Sequence, residues 1–170
     1  MRAAILTIST SVAAGRSEDV SGAALAELAT AAGAEVAISE IVTDDQAAIE
    51  QALRAYSVPE ADISLVFTTG GTGLTPDDIT PEATRAVIDR DAPGFAETMR
   101  TESLRHTPLG ILTRGVSGIA GRTLIINFPG NPKAINQLWP VIAPTLEHAV
   151  ATLQREGGRG GGSRDVHGGH

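Results

Sequence analysis

Residues 66 to 84 read Val-Phe-Thr-Thr-Gly-Gly-Thr-Gly-Leu-Thr-Pro-Asp-Asp-Ile-Thr-Pro-Glu-Ala-Thr, a short apolar run, a glycine-rich loop, adjacent carboxylates and a proline-started helix. This is the layout of an anion site beside a metal site. Gly70, Gly71 and Gly73 allow positive φ and close approach of the backbone to a ligand, so successive NH groups can converge on phosphate oxygens. Asp77 and Asp78 follow with the hard carboxylate oxygens that magnesium takes. A second loop, Pro129-Gly130-Asn131-Pro132-Lys133, carries the sole lysine of a chain with 12 arginines, a position where an ammonium specifically can be needed. Asp44 and Asp45 stand together past another apolar run. Asp45 and Asp77 are expected to serve a helix N-terminus and a turn, respectively.

Strand-like and helix-like segments alternate, as in a parallel sheet with crossover helices. Arg2 to Ile8, Glu35 to Val42 and Ile63 to Thr68 have strand character, the last being continuously apolar as in a strand buried on both faces. Val20, Ala24, Leu25, Leu28 and Ala32 recur at helical spacing ahead of a Gly33 cap. A second helix is expected from near Asp44, where Thr43 and Gln46 have capping-box spacing. A third is expected to start with Thr80 as N-cap and Pro81 at the first helical position. Residues 94 to 106 are expected to be helical, and Thr113 to Phe128 to be strand material around a turn at Ala120-Gly121-Arg122. Ile135, Leu138, Trp139, Ile142, Leu146 and Val150 mark a last helix that Pro140 and Pro144 should kink or break. In doubly wound sheets ligands gather outside the carboxyl ends of strands, so the Gly70 loop, the Pro129 loop and Asp44 should share one rim.

A length of 170 residues with 42% apolar residues suits one compact domain, residues 1–156, followed by a flexible glycine-rich tail over residues 157–170. A formal charge of -7 leaves no basic stripe for nucleic acid. Cysteine is absent, which excludes disulfides and thiolate metal sites and is compatible with a cytoplasmic location. No run approaches the roughly 20 apolar residues of a membrane helix. His167 and His170 make a poor metal site on so glycine-rich a segment, and Walker A, Rossmann and Gly-x-Ser-x-Gly patterns do not occur.

Four motifs in order resemble the MogA/MoaB molybdopterin adenylyltransferases, related to the gephyrin G domain. They are Glu18-Asp19-Val20-Ser21-Gly22, Thr43-Asp44-Asp45, Thr68-Thr69-Gly70-Gly71-Thr72-Gly73 with Asp78-Ile79-Thr80-Pro81-Glu82-Ala83, and Asn127-Phe128-Pro129-Gly130-Asn131-Pro132-Lys133-Ala134. The likeness runs through most of residues 3 to 153, with one departure: Ser9-Thr10-Ser11 stands where many members have Ser-Asp-Arg. The resemblance implies a three-layer α/β/α fold with a mostly parallel sheet, assembled as a homotrimer or homohexamer. It implies Mg-ATP-dependent adenylylation of molybdopterin with release of pyrophosphate, in molybdenum cofactor synthesis, and contacts with other proteins of cofactor assembly. By the same resemblance Asp44 and Asp78 are catalytic carboxylates that hold Mg2+. Asp19, Ser21, Gly22, Thr69, Gly70, Gly71, Thr72, Gly73, Pro129, Gly130, Asn131 and Lys133 bind the nucleotide and the substrate. A MoaB-like protein that binds molybdopterin with little transfer, a relative of CinA-type nucleotide enzymes, and a scaffold role are the alternatives.

Overall fold

A computed structural model describes residues 1–155. Residues 157–170, expected to be a flexible tail, lie outside the described residues. In chain order the elements are β1 (Arg2–Ile8), α1 (Thr10–Ala13), α2 (Val20–Ala31), β2 (Glu35–Val42), α3 (Gln46–Ser57), β3 (Leu65–Thr69), α4 (Thr80–Val87), β4 (Arg90–Asp91), α5 (Gly94–His106), β5 (Ser117–Ala120), β6 (Thr123–Phe128) and α6 (Pro132–Leu153). Single 3-10 segments at Pro59–Ala61 and Pro108–Leu112 complete them.

The strands form one mixed sheet in the order β2-β1-β3-β6-β5-β4. Its first four members are mutually parallel, whereas β5 runs antiparallel to both β6 and β4. Period-2 alternation along the strands sends Ala3 and Ile5 to one face and Ala4, Leu6 and Ile8 to the other. On the first face Leu25, Met99, Ile135, Leu138, Trp139 and Ile142 bring α2, α5 and α6 over Phe67, Ile126 and Phe128. On the second, Ile49, Leu53 and Ala83 bring α3 and α4 over Leu6, Val66 and Ile125. The expected three-layer α/β/α sandwich is thus formed. Phe67 meets Phe128 and Trp139 edge-on, with ring centroids 5.9 and 5.2 Å away.

Strand β1 lies between β2 and β3, so the chain leaves it first to one side and then to the other, by α2 on one face and α3 on the opposite face. The carboxyl ends of β1 and β3 are therefore the switch point, where a crevice must open.

Several expected boundaries are corrected by side-chain hydrogen bonding. Asp45, not Thr43, caps α3: its carboxylate accepts from the Ala48 NH at 2.8 Å, and no Thr43–Gln46 capping box forms. Thr80 is the first residue of α4 rather than its cap, because its hydroxyl is committed to the Gly70 carbonyl at 2.9 Å. Strand β3 starts later than Ile63, at Leu65, and the β5–β6 hairpin starts at Ser117 rather than Thr113. Pro140 and Pro144 do not break α6, which continues for 22 residues. Six buried side chains on its inner face, each contributing about 1.5–3 kcal/mol, offset the lost backbone bonds.

A polar knot sits inside the sheet below the site. Asn127, 2% exposed, donates from Nδ2 to the hydroxyls of Thr68 and Thr84 at 2.9 and 3.0 Å, and its Oδ1 accepts from the Val116 NH at 3.1 Å. Asn127→Ala strands those partners without water and should cost roughly 2–4 kcal/mol. A urea midpoint that falls at constant m-value would show it; an unchanged midpoint would contradict the account.

Candidate functional site

The crevice at the switch point is lined by Thr7 and Ile8 at the end of β1 with Ser9 and Val12 beyond it, by Glu18, Asp19 and Ser21 at the start of α2, by Thr69 at the end of β3 with Gly70 after it, and by Gly130 and Pro132 after β6. Its volume is about 360 Å3 and nearly half of the lining is polar. Every loop that builds it leaves the sheet at a carboxyl end, so parallel pairing itself brings together residues far apart in sequence.

Direct bonds fix the loops to one another. The Thr69 hydroxyl donates to the Pro129 carbonyl at 2.8 Å, the Gly70 NH to the Phe128 carbonyl at 3.2 Å, and the Ser21 hydroxyl to the Gly130 carbonyl at 2.9 Å. Asp19 caps α2 by accepting from the Gly22 NH at 2.9 Å, while its other oxygen accepts from the Thr7 hydroxyl at 2.8 Å. Asn131 caps α6 through Lys133 N at 2.8 Å, and both of these side chains are exposed at the rim.

In the glycine loop, Gly70 and Gly71 adopt φ of +99° and +66°. A Cβ on Gly70 would overlap the Ile8 carbonyl oxygen, and one on Gly71 the Thr80 hydroxyl. Gly73, expected to share the positive φ, does not; its lack of a side chain makes room for the Asp78 carboxylate, which a Cβ would approach to 2.8 Å. The Gly70 NH is taken by β6 and the Gly73 NH faces Asp78, so the NH groups left for an anion are those of Gly71 and Thr72.

Asp44 and Asp78 stand outside the crevice, on separate parts of its rim. One carboxylate oxygen of Asp44 accepts from the NH and hydroxyl of Thr10, both at 2.9 Å. Asp78 is held in the same way by Thr75, from NH at 2.9 Å and from hydroxyl at 2.7 Å. Partial burial pushes the Asp78 carboxyl up, but the bonds from Thr75 and the Gly73 NH, with the charge of Arg114, outweigh it and hold the carboxyl below the usual range. Asp77 is exposed and serves the turn.

Asp44 keeps a second oxygen outside its bonds from Thr10, and Asp78 takes both Thr75 bonds on a single oxygen. That donor set fits magnesium, which binds through one or two carboxylates and completes its shell with water and substrate phosphates. Among the described residues no group of three or more His, Asp or Glu forms a protein-only metal cage.

Beyond the Pro129–Asn131 ridge lies a second cavity of about 280 Å3, mostly apolar. Met99, Leu109 and Leu138 line it together with Arg100, Thr113 and Asn127. Sequence reasoning passed over this cavity and over Arg114, whose guanidinium binds the Glu82 carboxylate and holds that carboxyl below its usual range. Arginine is frequent enough in the chain that Arg114 carried no signal by residue type, and its partners lie more than 30 residues away.

A family model described as a probable molybdopterin binding domain matches residues 4–148. The molybdenum cofactor synthesis protein cinnamon of Drosophila melanogaster is 39% identical over 148 residues, 86% of this chain but only 24% of that protein. A molybdopterin adenylyltransferase of Helicobacter pylori is 39% identical over 152 residues, 86% of this chain and 84% of its own length. Among solved structures, the molybdopterin biosynthesis enzyme MoaB of Thermus thermophilus superposes with a TM-score of 0.83 at 43% identity, covering 89% of this chain and 95% of its own. No helix among the described residues is long and apolar enough to cross a membrane.

Proposed function

This chain belongs to the molybdopterin-binding domain family of molybdenum cofactor biosynthesis, and from that premise we propose that it is a molybdopterin adenylyltransferase, joining the adenylyl group of ATP to molybdopterin's terminal phosphate with release of pyrophosphate. The observation that supports this most is the pair of cavities meeting at the Pro129–Asn131 ridge, one half polar and lined by the hydroxyl-bearing residues Thr7, Ser9, Ser21 and Thr69 beside Glu18 and Asp19, the other mostly apolar. Two ligands that must react can lie on either side of such a ridge.

Molybdopterin's phosphate is already anionic at neutral pH, so the protein's task is to place it against the α-phosphorus and to compensate charge. The Gly71 and Thr72 NH groups donate to the nucleotide's phosphate oxygens, while Asp19 and Ser21 brace the facing wall through Thr7 and Gly130. Lys133, exposed at the rim, swings its ammonium over the reacting phosphates. Bound magnesium supplies charge neutralisation between the phosphates. Asp44 and Asp78 are the carboxylates that would hold it.

Purified protein incubated with molybdopterin, Mg-ATP and pyrophosphatase should yield a product heavier by one adenylyl group. Molybdopterin that binds but stays unmodified would favour instead the MoaB-like binding role. Calorimetry should show ATP binding much more weakly in EDTA than in magnesium. Equal affinities would remove the metal role given to Asp44 and Asp78. The exposed apolar side chains Leu104, Leu109, Ile111 and Leu112 suit a homotrimer or homohexamer. Light scattering should return a multiple of the 17.5 kDa chain, and a clean monomer at micromolar concentration would refute it.

A further inference from the structure

Arg114 reaches across the glycine loop from the far side of the site. Its backbone NH donates to the Thr72 carbonyl at 2.8 Å, and its Nε donates to the Gly73 carbonyl at 2.8 Å. Nη2 donates to the Asp78 carbonyl, and the outer edge of the same guanidinium engages both oxygens of Glu82 in the first turn of α4. One planar side chain therefore spans the start of the loop, the residue carrying the candidate catalytic carboxylate, and the helix that follows. Leu74 to Asp77, between those anchors, are exposed.

We propose that Arg114, oriented by Glu82, is a positioning residue for adenylyl transfer: it sets the separation between the anion-binding NH groups and the Asp78 carboxylate. This rests on the adenylyltransferase reading above. The side chains of Arg114 and Glu82 are 34% and 42% exposed, and an ion pair so exposed contributes little to global stability. What the pair supplies is geometry. A lysine retains the charge but lacks the rigid fork that reaches several acceptors at once, so it cannot substitute. The Thr72 carbonyl is held by the main chain of residue 114 whatever its side chain, so the NH groups beside it should keep their place in a variant. Asp78 should drift.

The test is single-turnover adenylylation with Arg114→Ala and Arg114→Lys, with the KM for ATP, the Tm and millimolar guanidinium as added readouts. Both variants should lose kcat by a factor on the order of 10², the scale set by misplacing a reacting group by about 1 Å. KM for ATP and Tm should hardly move, and guanidinium should restore part of the kcat of the alanine variant. Unchanged kcat, or a loss that follows Tm and that guanidinium leaves untouched, overturns the assignment. A wild-type chain that forms no adenylylated product overturns the functional reading instead. The clamp is then judged by amide hydrogen exchange over residues 73–78 in ligand-free protein. Faster exchange in Arg114→Ala than in wild type supports it, and equal rates sink it.

Discussion

Asp78→Asn should lower single-turnover adenylylation by a factor on the order of 10² while the fold survives, the result expected when a few kcal/mol of electrostatic stabilisation are lost. Asp77→Asn should change little. The neighbours differ in what surrounds them: Asp77 is exposed, whereas Asp78 is gripped by Thr75 and lies under the loop where Gly73 makes room for it. Because the folded protein holds the Asp78 carboxyl below its ordinary value, its contribution to stability is complete above the unfolded value. That contribution fades as pH falls through the lower folded one. The asparagine variant should therefore lose less stability than wild type on acidification, and the two unfolding curves should converge. A larger kinetic loss at Asp77 than at Asp78 would mean that the catalytic carboxylate is misassigned.

Gly70→Ala is the second change with a large expected effect. At φ +99° an alanine is strained, and its Cβ would drive into the Ile8 carbonyl oxygen at the end of β1, a backbone atom that cannot step aside. Relief requires the loop to move, which separates it from both Phe128 and Thr80. We expect a stability loss of about 2–4 kcal/mol and Mg-ATP binding too weak to detect at micromolar protein by calorimetry. Wild-type affinity in this variant would show that the loop does not cradle the nucleotide.

The sheet and its ligand end were legible in the sequence because period and punctuation are local. Arg2–Ile8, Glu35–Val42 and Gly94–His106 appear in the structure with the bounds expected of them. One misplaced boundary arose where a side chain is used at a distance. Thr80 looked like a cap because it precedes Pro81, but its hydroxyl serves Gly70, ten residues back. Asn131, a ligand-binding residue by resemblance, also caps α6, its side-chain Oδ1 accepting from the Lys133 NH. The departure at Ser9-Thr10-Ser11 gains meaning only in three dimensions, since Thr10 is the residue that grips Asp44. Arg114 carries no local signal because all five of its hydrogen bonds run to loop carbonyls or to a helix 32 to 42 residues upstream.

Gly70 is tethered through both of its peptide groups, its NH by β6 and its carbonyl by α4, so the turn is anchored to two separate layers of the sandwich before any ligand arrives. A phosphate bound there, as proposed, would meet a socket already ordered by folding, with little entropy left to lose at the moment of capture. Association should then be a single concentration-dependent phase without a slow isomerisation behind it, and the temperature factors of this turn should scarcely differ between empty and nucleotide-bound crystals.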